Sequence, residues 1–514
     1  MNNGFHTVVL RARWPLAAVV LAVVTASAFA VNLDLTIPPA PDRPWIVPNT
    51  ATYSAIASGH SAAARSAGQP GLEIDPAKAY ELAELIDIAQ RTNPETRVAW
   101  ERAREAALGM GMVEASYAPM LFAKAVAAFQ RVSSPLPTTL TPQGFFVADT
   151  QFFLPALTLK WLLFDFGGRQ AAVDASREAL AAANLGFNAT HQKIVFDVTR
   201  AYYAVNAVQG RVEVARASLK LAQTLQDAAE SRRGRGLATV PEVLQAREQT
   251  ARAAYDLQGS IAAETDARMA LLEAMGVRPT TPLRVAGLAG RGLPAKIEDT
   301  AEKLVDRALE QRPDLLARVA VVRAREADIR KAQSEFYPRV VVSGDVLQNM
   351  GRVRTQGIPG WSDVNQLGYG AAIAIELPLY DGGLRKNRVG VAESQRRVAE
   401  EELELARDRT AREVVKAYED LKVTLRQREA AVALLDAADK SHDAALDSYR
   451  RGVATFIDVT NAQTSLTRAR TADTETRSSV FTAAAALAFG TGDIAPPGAS
   501  ETPRSGAVSS PLRR

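Results

Sequence analysis

The chain contains itself twice. Sliding it by 216 positions superposes Asp165 on Asp381, Arg169 on Arg385, Tyr202 on Tyr418, Gly236 on Gly452, Thr239 on Thr455 and Gly276 on Gly492. Upstream the offset becomes 219, pairing Leu85 with Leu304, Asp87 with Asp306, Pro94 with Pro313 and Pro119 with Pro338. The slip of three falls between Pro119 and Asp165, so one half makes a slightly longer excursion there. A period of roughly 200 residues is far too long for a stacked solenoid repeat and predicts two pseudo-equivalent halves of one architecture. The expected units are residues 76–276 and 299–492, joined by a linker at 277–298 that carries Pro279, Pro282 and Pro294.

The ends read differently. Arg11 and Arg13 precede an apolar run from Leu16 to Ala30 that finishes in the small-x-small pattern Ala28, Phe29, Ala30, so residues 1–30 are expected to be an export signal cleaved after about Ala30. No other segment approaches the roughly 18 consecutive apolar residues of a spanning helix. Residues 31–75 open with five prolines and continue in Ala, Ser and Gly as an extended lead-in, and residues 493–514 form a Pro, Gly and Ser rich tail expected to be disordered. With no Cys in 514 residues, neither a disulfide framework nor a lipid-modified N-terminal Cys is available. The formal net charge is +4, and removing the two signal arginines leaves about +2, which gives no support to nucleic-acid binding. A mean hydropathy near zero excludes a polytopic helical membrane protein but not a transmembrane β-barrel, whose alternating strands average out.

Two very long helices are predicted. There is no proline from Arg169 to Arg233 or from Leu384 to Arg451, so each stretch runs as one helix of about 65 residues and roughly 100 Å. In the second, Val414, Tyr418, Leu421, Leu425, Val432, Leu435, Leu446 and Tyr449 recur as a coiled-coil stripe. Both helices meet the same stop signals. Gly236 and Gly452 suit a left-handed C-terminal cap, and Thr239 to Glu242 and Thr455 to Asp458 read as capping boxes. The chain then returns as helices over about 240–275 and 456–489, making two antiparallel coiled-coil hairpins.

Four strands are expected between the helices. In Phe153 to Leu163 the odd positions are Phe, Pro, Leu, Leu, Trp and Leu, opposed by Ala156, Thr158 and Lys160. Val340 to Val346 sets valines against Ser343 and Asp345, and Leu367 to Leu379 sets Leu, Tyr and Ile against glycines, alanines and Glu376. A fourth, about Leu121 to Arg131, alternates poorly. Period two with one apolar face is a barrel signature and places Lys160, Asp345 and Glu376 toward the lumen. Four strands cannot close a barrel, and open edges are not tolerated in lipid, so the chain must pool strands with copies of itself.

Residues 377–383, reading LPLYDGG, their partner LLFDFGG at 162–168, and the tip YRRG at 449–452 running on to FIDVTNA at 456–462 resemble the TolC-like outer-membrane efflux family over about residues 76–492. The resemblance implies a mainly α homotrimer, with a twelve-stranded β-barrel continued by a helical tube through the periplasm of a Gram-negative cell. It implies an exit duct working with a periplasmic adaptor and an inner-membrane pump of RND, ABC or MFS type, either for small molecules in a tripartite efflux system or for polypeptides in type I secretion. By the same resemblance Asp458 narrows the periplasmic mouth, with Glu242, Gln245 and Asn461 as weaker lining candidates and Asn461 standing where some relatives carry a second acid. Asp458 equally serves its helix as the acid of a capping box. Tyr449 matches a tip-locking Tyr, but Ala454 stands where the family's Arg would be, leaving Arg235, Arg450 or Arg451 as substitutes. Gly236, Leu237, Gly452 and Val453 resemble adaptor-docking positions, and the glycines also serve the turn.

Enzyme chemistry has little footing. His6, His60, His191 and His442 are scattered without metal-ligand spacing, and there is no Walker loop, no G-x-S-x-G and no Cys nucleophile, so no cofactor is expected. Gly167-Gly168 and Gly382-Gly383 close an alternating strand in duplicate and read as bends. A periplasmic coiled-coil scaffold without a barrel is the competing reading from another class.

Overall fold

The structure, a computed structural model, describes residues 74–139, 142–288, 292–293 and 299–494. The expected signal, nearly all of the lead-in and nearly all of the tail lie outside the described residues.

Each half starts with a short strand or loop and two lead helices, then crosses a β-hairpin and enters a helical hairpin. The first half comprises β1 (Ala79–Tyr80), α1 (Leu82–Thr92), α2 (Pro94–Glu114), β2 (Met120–Pro135), β3 (Phe145–Phe164), α3 (Gly168–Gly234) and α4 (Val240–Ala274). The second comprises β4 (Arg284–Val285), α5 (Ala301–Gln311), α6 (Pro313–Ser334), β5 (Arg339–Thr355), β6 (Ser362–Glu376), α7 (Leu384–Arg450) and α8 (Phe456–Thr491). The two long helices are both 67 residues. The lead helices break where Pro94 and Pro313 occupy the first helical position, which a proline fits because its missing N–H would have no partner there. Strands β1 and β4 pair in parallel and tie the linker back to the start of the first half.

Strands β2, β3, β5 and β6 form one antiparallel sheet in that order. Residues 136–144 join the first hairpin and 356–361 the second, and the three extra residues of the first connection account for the slip in the internal offset. The strands run further than alternation predicts. Strand β3 begins at Phe145 rather than Phe153, and β5 continues past Val346 to Thr355, because Asp149, Gln151, Arg352 and Arg354 interrupt the apolar face without interrupting the ladder. Strand β6 ends at Glu376, before Pro378, rather than at Leu379.

The register sorts the faces. Leu157, Val346 and Tyr369 are directly paired and share one side with Leu121, Trp161 and Ile373. Lys160 pairs with Ser343, Asp345 with Thr158, and Glu376 with Arg339, so all three lumen candidates share the opposite side, and all three are exposed. Tyr369, Ile373 and Ile375 are strongly exposed, so no protein within the described residues covers the apolar side. Among the described residues, strands β2 and β6 are free edges.

The helices supply the core. Val414, Leu421, Val480 and Leu487 pack with Leu304 and Ala308 near the lead helices. Leu435 packs beside Ala438, Leu466 and Ala469 further along. Most of the predicted stripe on α7 is buried or partly buried, but Val432 is half exposed and belongs to the outer surface. Among the described residues no helix is long and apolar enough to cross a membrane.

Candidate functional site

The two helical hairpins meet at their tips. Leu225, Ala229, Val243 and Ala246 of the first hairpin share a small core with Tyr449, Phe456 and Val459 of the second. Each turn is built the same way. Gly236 donates its N–H to the Arg233 carbonyl at 2.9 Å and Leu237 to the Arg232 carbonyl at 2.9 Å; Gly452 and Val453 repeat this to Tyr449 and Ser448 at 3.0 and 2.9 Å. This is the Schellman arrangement, and it needs the left-handed conformation that Gly236 and Gly452 adopt, with φ of +75° and +79°. The next residues, Leu237 and Val453, are left 63% and 83% exposed.

The helix starts differ between the halves. In the second, the Asp458 carboxylate accepts from the Thr455 amide at 2.8 Å and the Thr455 hydroxyl at 2.7 Å, completing a capping box. Those bonds hold the Asp458 carboxyl below the usual Asp range. In the first, Thr239 accepts from the Glu242 amide, but the reciprocal bond is missing. Glu242 instead accepts a 2.6 Å hydrogen bond from the Tyr449 hydroxyl of the other hairpin. The capping box expected at Thr239 to Glu242 is therefore only half made, because a buried phenol presents a stronger claim on the carboxylate than a solvated amide.

Tyr449 lies within the tip core, only 3% exposed, rather than on an open surface. Burial pushes its phenol up to about 12, and the bond to Glu242 adds to the shift. Arg232 completes the cluster: its guanidinium stacks 4.5 Å from the Tyr449 ring and donates to the Tyr449 carbonyl at 3.0 Å. None of the arginines expected from the sequence does this. Arg235 donates to the Ser231 carbonyl at 3.4 Å, Arg451 bonds Asp447 within its own helix, and Arg450 is exposed. The counterpart of Arg232 in the other half is Ser448, so the duplication carries no trace of it. Its place one helical turn before Gly236 is the mark it leaves in the sequence.

The remaining mouth candidates are at the same end of the molecule. Gln245, Asp458 and Asn461 are exposed, and Glu242 is partly buried by its bond. At the other end of the long helices the strand-to-helix bends repeat one device. The Asp165 carboxylate accepts from the Arg169 amide at 2.7 Å, and Asp381 accepts from the Gly383 and Arg385 amides at 3.0 and 3.2 Å. These carboxylates accept from free N–H groups opening α3 and α7, and the glycines serve the bend itself, Gly167, Gly382 and Gly383 taking left-handed φ of +90°, +64° and +90°.

The family model described as outer membrane efflux protein matches residues 85–277 and 304–493. The chain belongs to that family. Its members form channels and are not enzymes, and this chain is accordingly an outer-membrane efflux protein. It is 28% identical to protein CyaE of Bordetella pertussis over 415 residues, covering 80% of this chain and 84% of that one. It is 24% identical to outer membrane protein OprJ of Pseudomonas aeruginosa over 300 residues, covering 58% and 61%. In fold it is similar to the crystal structure of the outer membrane protein VceC from Vibrio cholerae, with a TM-score of 0.64 at 23% identity over 80% of this chain and 96% of that one.

Proposed function

We propose that three copies of the chain close their sheets into one twelve-stranded barrel in outer-membrane lipid, with the helical hairpins continuing inward as a periplasmic tube. The observation that carries this reading is the four-stranded sheet, which among the described residues has an uncovered apolar face and two free edges. Unpaired backbone is not tolerated in hydrocarbon, and strands β2 and β6 satisfy each other only if copies line up edge to edge. The duct passes small molecules handed over by an inner-membrane pump and a periplasmic adaptor. Leu237 and Val453, exposed beside the tip glycines, are the contacts offered to the adaptor, and Asp458, Gln245 and Asn461 face the mouth.

Within this reading Tyr449, Glu242 and Arg232 form a latch between the two hairpins of one subunit, and mobility of the tips requires it to release. Lys160, Asp345 and Glu376 line the barrel interior. Detergent-purified protein should have about three times the mass of one chain by light scattering, and should conduct in planar bilayers. A monomer that stays in solution without detergent and does not conduct would leave only the scaffold reading. A deletion strain should lose tolerance to toxic small molecules; a changed secretome with tolerance intact would reassign the cargo to polypeptides.

A further inference from the structure

The apolar side of the sheet ends in a row of arginines. Along β3 that side runs through Trp161, Leu159, Leu157, Pro155 and Phe153, then turns to Gln151 and Asp149. The register sets Arg352 opposite Gln151, and both Arg354 and Arg131 opposite Asp149. The ten residue-to-residue steps from Trp161 to Gln151, at about 3.3 Å each and a tilt of about 40°, span roughly 25 Å, the height of a barrel's apolar band. The arginines thus fall at headgroup level, at the end of the strands away from the helices.

The row is held in place from below. The Asp149 side chain is 8% exposed and lies 2.6 Å from Arg354 and 3.6 Å from Arg131. Arg352 donates to the Gln151 side chain at 2.8 Å, and the guanidiniums of Arg352 and Arg354 lie 4.7 and 5.2 Å from the Trp361 ring. Arg131 and Arg354 remain 69% and 52% exposed, and among the described residues Asp149 is the one acid paired with either. Asp363, opposite Arg352, is the other acid on this part of the face, so positive charge prevails by three to two.

We infer that this row binds the phosphate groups of a phosphorylated glycolipid in the outer leaflet. A planar guanidinium matches a phosphate with paired hydrogen bonds, and the aromatic ring and buried carboxylate fix its direction before the lipid arrives. A row that served only to staple strand ends would not leave two guanidiniums outermost on the lipid side. The inference rests on the barrel reading above.

The test uses the intact trimer, stripped of lipid in detergent and incubated with bis-phosphorylated lipid A or its dephosphorylated form, with retained lipid counted by native mass spectrometry and conductance recorded on the same samples. Wild type should retain the phosphorylated form at least about ten-fold better, a preference worth about 1.4 kcal/mol. The double variant Arg131→Gln, Arg352→Gln should lose that preference, and Arg131→Lys, Arg352→Lys should keep most of it; both leave the Arg354 to Asp149 pair intact. Equal retention of the two lipids by conducting wild-type protein would overturn the lipid site alone, as would an unchanged preference in the Gln variant. Wild-type protein that does not conduct would overturn the barrel reading itself.

Discussion

A single hydroxyl decides how the two tips are joined. The Tyr449 to Glu242 bond pairs a buried donor with a charged acceptor, a class worth about 1.5–3 kcal/mol, with the lower end fitting an acceptor that is only partly buried. Tyr449→Phe keeps the ring against Phe456 and Arg232 and removes only that bond, so single-channel recordings should show the open fraction rising by about ten-fold, as about 1.4 kcal/mol dictates. Asp458→Ala should leave the latch intact, loosen the start of α8, and alter block of the channel by cations. An unchanged block would restrict Asp458 to capping. The pH dependence has opposite signs at the two residues. The raised phenol of Tyr449 contributes stability that is complete below its ordinary value near 10 and is lost as pH rises through about 12. The lowered carboxyl of Asp458 contributes above the ordinary Asp value and is lost as pH falls through its depressed one. Between about pH 6 and about pH 9 neither group changes state, and conductance should carry no titration from them. At this scale Asp458 and the tip glycines were legible because local backbone chemistry governs them. Arg232 was not, because its partner lies 217 positions away and only packing brings it there.

Elements were legible in proportion to how local their signals are. Helix ends marked by Gly236, Thr239, Gly452 and Thr455 fall within a residue or two of expectation, whereas the outer halves of β3 and β5 were lost because Asp149 and Arg354 look like turn residues until paired with each other. Packing between elements left a fainter mark. At Gly210, on α3, an added Cβ would fall 1.9 Å from the Thr474 methyl of α8, whose hydroxyl is already tied to the Arg470 carbonyl. The helices are that close because there is no side chain between them. Gly210→Leu should therefore cost about 1–3 kcal/mol and lower the melting temperature, while Gly259→Leu, where nothing lies within 4 Å, should not. Equal melting of the two would mean that α3 and α8 can part freely.

For the whole molecule, the duplication announced the architecture, and the alternating strands announced the membrane. The number of copies is not written in one chain; four strands are too few to enclose anything, which calls for more than one copy, and three is the number proposed above. Since the native chain has no Cys, pairs of cysteines introduced along β2 and β6 offer a clean readout of edge pairing. Mild oxidation should give covalent ladders ending at three chains, strongest where both cysteines point to the same side, and a product stopping at two chains would contradict the proposed closure. Glu242 adds a last consequence. Once Tyr449 swings away, that carboxylate has a second berth at the Thr239 amide, the one its twin Asp458 already occupies in the other half. In the proposed latch, parting the hairpins then offers the Glu242 ion a change of donor, which offsets part of what the loss of the Tyr449 hydroxyl costs.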